Sequence, residues 1–246
     1  MANQYLDEDL GDPEPGTIAV VTGAEARHAV TVSRIGVGER IRVSNGSGLV
    51  AVGTVTDTTP GEFRFRVESL ERDDRPTPGI WLAQALAKGD RDELAVQAAT
   101  ELGVDGVIPW SAARSVSRWE GPKIRKGQER WAAIVREATK QSARSWLPEV
   151  APLVNTKQLA AMADSALVLV LDPLAERSLA DYASEELSAA ADVIVVVGPE
   201  GGIAPGELDL LYTAGSRGVR LGRGILRTST AGPAAIAVLS AKLGRW

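Results

Sequence analysis

The sequence contains no cysteine and only one histidine, and these shortages exclude several kinds of active site. Without cysteine the chain has no disulfide, no thiolate nucleophile and no zinc–thiolate centre. His28 lies far along the chain from the glycine-rich turns near the other end, which disfavours a Ser-His-Asp triad there. We therefore expect no metal, and an enzyme built from this chain must rely on positioning, backbone dipoles, carboxylates and arginines.

Long apolar segments are also missing. No run approaches the roughly 18 residues that are needed to span a bilayer. The first residues, MANQYLDEDLGDPEPG, have neither the basic part nor the apolar part of a signal peptide. Together with the absence of cysteine, this predicts a cytoplasmic protein with no membrane partner.

The net charge of −5 conceals a basic segment. Between Trp110 and Ser145 there are nine lysines and arginines and only three acidic residues. A local cluster of positive charge matters more for phosphate binding than the overall charge does. On charge alone, a nucleic-acid surface and an ordinary solvated helix face explain this segment equally well.

The composition changes near ERDDRPTPG, residues 71–79. Before it, Asn45-Gly46 predicts a hairpin turn between two strands, and EFRFRVESL alternates as a half-buried strand does. We therefore predict a small antiparallel β-barrel over residues 1–75.

Residues 76–246 alternate between predicted strands and helices. The runs ALVLVL (166–171) and VIVVV (193–197) are apolar at every position, which is typical of strands covered on both faces of a parallel sheet. Asp90 and Glu93 predict a capping box at the start of one helix, and the basic segment predicts another helix over 124–143. The pattern indicates an α/β fold.

Two glycine-rich turns follow predicted strands near the end of the chain, GPEGG (198–202) and LGRG (221–224). The first has neither GxGxxG spacing nor a P-loop ending, and Glu200 would repel a pyrophosphate. A simple strand-to-helix turn explains one or two glycines but not this number. We favour a ligand site at the carboxyl ends of the strands, where open α/β sheets bind ligands.

These turns, read as GPEGGIAPGEL and LGRGILRTSTAG, closely resemble the paired signature of the RsmE family. Its members are ribosomal RNA methyltransferases of the SPOUT superfamily that methylate N3 of a uridine in 16S ribosomal RNA. KGDRDELAVQAATELG, REATKQSAR and RHAVTVSRIGVGERIRVSNGSG resemble further family segments, so the likeness covers nearly the whole chain. It implies a SPOUT-type parallel sheet with a deep trefoil knot, preceded by a PUA-like β-barrel that binds RNA.

The resemblance also implies a homodimer that acts on the assembled or nearly assembled 30S subunit, with S-adenosylmethionine (SAM) as cofactor. The residues that match the cofactor positions are Leu171, Gly198, Glu200, Gly201, Gly202, Leu221, Gly222, Ile225 and Leu226. The expected catalytic residues are Arg227 and Glu200. Arg227 either stabilises the developing uridine anion or is bonded to carbonyls of the knot, and Glu200 either is the base or orients the turn.

The expected RNA contacts are basic residues of both predicted domains: Arg34, Arg114, Arg118, Arg136, Lys140 and Arg144. Ser229 departs from the family pattern, since a Glu is common there, and Ala204 replaces a frequent Ser helix cap. If Thr230 caps the last helix, Pro233 falls in its first turn. Two alternatives stay open: an RNA-binding assembly protein without catalysis, and a SPOUT methyltransferase with another RNA target.

Overall fold

The computed structural model describes residues 3–246, which form two compact units. The first unit contains the described residues up to Arg75 together with Thr139–Leu147. The second contains Pro76–Ala138 and Pro148–Trp246. The sequence did not indicate that residues 139–147 belong with the first unit, because the predicted helix over 124–143 crosses that boundary.

The first unit is built on one five-stranded sheet with the strand order β1-β3-β4-β5-β2. Its strands are β1 (Asn3–Leu6), β2 (Ile18–Thr22), β3 (Arg40–Ser44), β4 (Leu49–Thr59) and β5 (Glu62–Arg72). The pairing is antiparallel except for β1, which runs parallel to β3, so the prediction of a purely antiparallel domain was wrong in this detail.

The predicted hairpin and alternating strand are both confirmed. The Asn45 side chain closes the β3–β4 turn by accepting hydrogen bonds from the backbone N–H groups of Ser47 (2.8 Å) and Leu49 (3.1 Å). In β5 the buried side chains alternate with exposed ones, and Phe63 and Phe65 point into the core of this unit.

The second unit is built on a seven-stranded sheet whose paired strands, within the described residues, run parallel. The order is β12-β10-β11-β6-β7-β8, with β9 also pairing with β7. The strands are β6 (Gly79–Ala85), β7 (Gly106–Ser111), β8 (Glu149–Val150), β9 (Val154–Asn155), β10 (Leu167–Leu171), β11 (Asp192–Val197) and β12 (Arg217–Val219). The two all-apolar runs are β10 and β11 in the interior of the sheet, which confirms the α/β prediction.

Seven α-helices are described within residues 3–246: α1 (Gly23–Arg27), α2 (Arg91–Glu101), α3 (Pro122–Gln141), α4 (Thr156–Ala161), α5 (Ser184–Ser188), α6 (Pro205–Thr213) and α7 (Thr228–Lys242). None of these helices is both long enough and apolar enough to cross a membrane. Trp131 on α3 is buried.

One predicted capping box and one predicted helix start were wrong. Asp90 has a φ of +59° and its side chain makes no capping bond to α2, while Glu93 instead accepts hydrogen bonds from Arg130 (3.0 and 2.8 Å). Helix α7 begins at Thr228, so Pro233 is its sixth residue and lies in the helix interior. A proline there removes the N–H that would bond the carbonyl four residues earlier.

The strands of the second sheet are parallel, so the turns that follow β10, β11 and β12 lie at the same edge. The site described next is at this edge. The trefoil knot implied by the resemblance stays a prediction.

Candidate functional site

A cavity of about 810 Å³ lies where the turns after β10, β11 and β12 meet. Most predicted cofactor and catalytic residues line it: Leu171, Gly198, Glu200, Gly202, Leu221, Gly222, Ile225, Leu226 and Arg227. Gly201 is not among the lining residues, but its carbonyl accepts a hydrogen bond from Nη1 of Arg114, which does line the cavity (3.0 Å). The fold therefore brings together residues from the two glycine-rich turns.

The glycines of these turns serve different purposes. A Cβ at Gly198 would lie 2.6 Å from Cγ1 of Ile203, so packing requires glycine there. Gly202 has a φ of +70°, which side-chain-bearing residues rarely adopt. At Gly222 and Gly224 neither reason applies, since φ is not positive and an added Cβ would meet no atom within 4 Å. Their bare backbone leaves room for a ligand.

Glu200 is held in place by two donors. Its Oε1 accepts hydrogen bonds from the backbone N–H of Lys88 (3.1 Å) and from Nη1 of Arg91 (2.9 Å). Burial raises the pKa of Glu200, but the hydrogen bonds from its own backbone, Lys88 and Arg91 outweigh burial, and the net effect is a lowered pKa. The carboxylate is therefore ionised and weakly basic, which suits holding a turn better than accepting a proton.

Arg227 is the N-cap residue of α7, and its side chain lines the cavity. Among residues 3–246, no group forms a hydrogen bond or salt bridge with its guanidinium. This disfavours the alternative that Arg227 is a structural arginine bound to carbonyls of its own fold. Its five donors remain available to a ligand.

A buried chain of hydrogen bonds connects three elements beneath the cavity. The Gln84 amide at the end of β6 donates to Oγ1 of Thr228 (2.8 Å), and the Thr228 hydroxyl donates to the carbonyl of Gly198 (2.8 Å). Both side chains are buried. The chain fixes the start of α7, and hence Arg227, relative to the turn after β11.

The start of α6 is fixed by Glu207 rather than by its capping residue. Ala204 has no side-chain oxygen, but its backbone N–H donates to Oε2 of Glu207 (3.2 Å). Oε1 of the same buried carboxylate accepts from Thr156 (2.6 Å) and from the backbone of Ala113 (2.9 Å). Glu207 thus holds the start of α6 against two other segments of the unit.

Apolar side chains form part of the cavity wall and remain exposed. Leu174, Ile225 and Leu226 are 90%, 83% and 42% exposed in this chain. Such side chains are able to cover the faces of a flat aromatic group. Among residues 3–246, no group of three or more acidic or histidine side chains is arranged to hold a metal ion.

The predicted RNA contacts differ in their availability. Arg34, with a φ of +54°, and Arg114 and Arg118 are exposed, whereas Arg136 and Arg144 are half-buried. Lys140 is less available than the exposed arginines, because its side chain is only 9% exposed and Nζ lies 3.2 Å from Oε2 of the buried Glu25. A lysine whose charge is already paired inside the protein is poorly placed to contact phosphate.

Sequence reasoning missed three charged residues that line the cavity, Arg91, Asp172 and Arg220. Arg91 is the first residue of α2, and Glu200, which it contacts, lies 109 positions away. No local sequence pattern reveals a contact over that distance. Asp172 directly follows β10, and its place at the carboxyl end of a parallel strand is a signal that could have been used.

Two family models match the chain. The model described as an RNA methyltransferase domain covers residues 74–240, and the model described as an RNA methyltransferase PUA domain covers residues 21–68. These two matches correspond to the predicted α/β fold and the predicted PUA-like domain.

Individual proteins are similar over nearly the whole chain. Ribosomal RNA small subunit methyltransferase E of Mycobacterium bovis is 42% identical over 241 residues, which covers 95% of this chain and 90% of that protein. The methyltransferase E of Neisseria gonorrhoeae, solved with bound SAM, is 25% identical with a TM-score of 0.84 and 98% coverage of both chains. A Legionella pneumophila protein described as a methyltransferase, also solved with SAM, is 28% identical with a TM-score of 0.86 and the same coverage.

Proposed function

We propose, from the premise that this chain belongs to the ribosomal RNA small subunit methyltransferase E family, that it methylates small-subunit ribosomal RNA with SAM as the methyl donor. The finer proposal is that the acceptor is N3 of one uridine in 16S ribosomal RNA. The observation that carries the proposal is the cavity built from both signature turns, in a chain 42% identical to a methyltransferase E.

The residues of the cavity fit SAM. When bound, this cofactor supplies a methyl group that is already activated by its sulfonium. Gly222 and Gly224 leave backbone N–H and C=O groups open to the polar edges of the cofactor, since no packing demand explains them. The apolar side chains that would cover the adenine are Leu171, Leu221, Ile225 and Leu226.

Arg227 is the proposed catalytic residue. Uridine must lose its weakly acidic N3 proton before or during attack, which leaves negative charge on the ring oxygens. A guanidinium with no partner within the described residues is suited to stabilise that charge. The Gln84–Thr228–Gly198 chain fixes the start of α7, so the backbone from which Arg227 projects is in place before the substrate arrives.

Glu200 is proposed to orient the turn, with Arg91 and Lys88 as its partners. Its lowered pKa makes it a weak base, and one of its oxygens already accepts two hydrogen bonds. We assign no protein residue as the general base. Ser229 does not supply one either, because a serine hydroxyl is not basic without a partner.

The remaining parts of the proposal follow the family resemblance. We propose a cytoplasmic homodimer that acts on assembled or nearly assembled 30S subunits, with Arg34, Arg114 and Arg118 as RNA contacts. The exposure of Leu174 and Ile225 beside the cavity supports a site that is covered further in the active assembly. A monomeric native mass with full activity would contradict the dimer.

The test is transfer of labelled methyl from SAM to 30S subunits that lack the modification, followed by nucleoside analysis of the RNA. Free 16S ribosomal RNA is run in parallel. We expect N3-methyluridine at one site, and Arg227→Ala should lower kcat about a hundredfold to a thousandfold, as loss of a charge-stabilising donor does. Arg223→Ala, a neighbouring exposed arginine that does not line the cavity, is the matched control and should retain activity.

The outcomes separate the alternatives. A different labelled nucleoside would support a methyltransferase with another target. SAM binding without transfer to either RNA would contradict the proposed substrate. Failure to bind SAM at all would favour an RNA-binding assembly protein without catalysis.

A further inference from the structure

Asp172 is a charged residue of the cavity to which the preceding proposal gives no role. It directly follows β10, is half-buried and lines the cavity. Its backbone N–H donates to the carbonyl of Val219 on β12 (3.0 Å), so its Cα is fixed at the edge of the sheet. The position of this carboxylate is therefore set by the strands and not by a mobile loop.

The orientation of the Asp172 side chain is also fixed. Oδ1 accepts a hydrogen bond from the backbone N–H of Leu174 (2.9 Å), and Oδ2 accepts one from the Tyr212 hydroxyl (2.9 Å). Burial raises the pKa of Tyr212 above its ordinary value, and the hydrogen bond to Asp172 and the charge of Asp172 raise it further. Tyr212 is thus protonated and donating at neutral pH. An ionised carboxylate has about four acceptor positions, so both oxygens can accept further bonds.

The two carboxylates of the cavity differ in their charge partners. Glu200 is paired with Arg91 at 2.9 Å. Asp172 has no Lys, Arg or His nitrogen within 4.0 Å among residues 3–246. A half-buried carboxylate that is held by neutral donors and lacks a cation is a site prepared for a positively charged group of a ligand.

We propose that Asp172 binds the α-ammonium group of the cofactor's amino-acid end. This inference rests on the proposed function, because it assumes that SAM occupies the cavity. SAM carries two positive charges, the ammonium and the sulfonium. Only the ammonium has N–H donors that match the open acceptor positions of the carboxylate, and a charge-assisted hydrogen bond is stronger than a contact with the sulfonium. Tyr212 is then a positioning residue that keeps the carboxylate turned toward the cavity.

The competing explanation is that the Asp172–Tyr212 bond only ties β10 to α6. The two explanations differ in which ligands lose affinity when the charge is removed. A structural role affects every ligand of the cavity alike, whereas an ammonium contact affects only ligands that carry the ammonium. In Asp172→Asn the amide oxygen can still accept the hydrogen bond from Leu174, and the amide NH2 group can donate to the Tyr212 hydroxyl oxygen. The charge is removed while both contacts can be kept, so Asp172→Asn is the appropriate variant.

The experiment measures calorimetric dissociation constants of the wild-type protein and Asp172→Asn for three ligands. SAM has the ammonium and the sulfonium, S-adenosylhomocysteine has only the ammonium, and 5′-methylthioadenosine has neither. We expect Asp172→Asn to raise the dissociation constants of SAM and S-adenosylhomocysteine about tenfold to a hundredfold, as loss of a charged hydrogen bond does. The dissociation constant of 5′-methylthioadenosine should change by no more than about twofold. Asp209→Asn, an exposed residue on α6 outside the cavity, is the control for net charge.

A second measurement avoids substitutions at the site. On the wild-type protein, an S-adenosylhomocysteine analogue with hydrogen in place of the amino group should bind about tenfold more weakly than the parent compound. Equal affinity would overturn the inference even if Asp172→Asn does not fold. Tyr212→Phe should cause a smaller loss that is confined to SAM and S-adenosylhomocysteine.

Other outcomes contradict the inference in distinct ways. Equal weakening of all three ligands would indicate a structural role for Asp172. Weaker binding of SAM alone would indicate that Asp172 contacts the sulfonium and not the ammonium. If the wild-type protein binds none of the ligands, the proposed function itself fails, which is distinguishable from failure at Asp172.

Discussion

At the scale of single residues, the cavity shows how environment separates chemically similar groups. Glu200 and Asp172 are both carboxylates at the edge of one sheet. Glu200 is neutralised by Arg91, whereas Asp172 receives only uncharged donors. The difference decides what each can do: a paired carboxylate holds structure, and an unpaired one remains available to a cation.

The assignment of Glu200 as an orienting residue predicts a mild effect of Glu200→Gln. The glutamine carbonyl can still accept hydrogen bonds from Lys88 and Arg91, so kcat should stay within about tenfold of wild type, whereas loss of a catalytic base typically costs 10²–10⁴-fold. Because the pKa of Glu200 is lowered, the carboxylate is ionised throughout the neutral range and its contacts are lost only in acid. The kcat profile between pH 6 and 9 should therefore have the same shape in both proteins.

The measurement is single-turnover methyl transfer across that pH range, with Glu200→Ala as the comparison. Alanine leaves the Arg91 guanidinium and the Lys88 N–H without their acceptor and should be more damaging than glutamine. If glutamine and alanine are equally inactive, and the pH dependence is lost in both, Glu200 is the base.

At the scale of helices and strands, sequence patterns predicted what depends on burial and missed what depends on exact chain geometry. The runs that became β10 and β11 were predicted because strands covered on both faces are apolar at every position. Helix α2 begins directly after Asp90, as predicted, but the capping box was wrong because Asp90 adopts a left-handed conformation, which no spacing of residue types reveals. The start of α7 was missed because Thr228 is fixed by hydrogen bonds to the distant residues Gln84 and Gly198.

The same limit applies to the site. The glycine turns and Arg227 could be predicted because the signature places them next to one another in sequence. Arg91 and the buried Gln84 could not, since their partners Glu200 and Thr228 are 109 and 144 positions away. Helix α7 contains the apolar run PAAIAVL. Ala235, Ile236 and Leu239 of this helix are fully buried, so at least this face belongs to the core.

The end of α7 is anchored by a charge pair whose removal should destabilise the fold. Nη1 of Arg245 lies 2.7 Å from Oδ2 of Asp105, and the two side chains are 13% and 5% exposed. The same carboxylate oxygen accepts the backbone N–H of Ile80 (2.8 Å). Arg245→Ala removes the cation from a buried carboxylate, which should lower the free energy of unfolding by about 3 kcal/mol.

Chemical denaturation measures this change. The exposed Arg223, which has no partner within the described residues, is the control, and its replacement by alanine should change stability by less than about 0.5 kcal/mol. SAM affinity of the folded Arg245→Ala protein should be unchanged, because Arg245 is not among the residues lining the cavity. Equal stability of the two variants would show that the Arg245–Asp105 pair makes no net contribution to the free energy of unfolding.

At the scale of the whole molecule, the overall charge hides how the positive residues are used. The chain has 27 lysines and arginines against 32 acidic residues. Many of the cations are already engaged: Lys140 with Glu25, Arg130 with Glu93, and Arg91 with Glu200. The arginines that remain open to solvent, such as Arg118, are therefore a better guide to RNA binding than the density of charge along the sequence.

This distinction predicts opposite behaviour for two residues of the same basic segment. RNA affinity should fall with salt, and each phosphate contact on single-stranded RNA contributes about 0.7 to the slope of log K against log salt concentration. Arg118→Ala should reduce that slope by about 0.7 and leave stability within about 0.5 kcal/mol. Lys140→Ala should leave the slope unchanged but lower stability, because Glu25 loses its buried partner.

The measurement is RNA binding at four or more salt concentrations, paired with chemical denaturation of each variant. A smaller slope of log K against log salt concentration for Lys140→Ala would mean that the Lys140–Glu25 pair opens when RNA binds. A phosphate contact requires the amine to leave the carboxylate. An unchanged slope with Arg118→Ala would remove Arg118 from the RNA surface. In that case the exposed Arg114, whose guanidinium also holds the carbonyl of Gly201, would connect RNA binding directly to the cofactor turn.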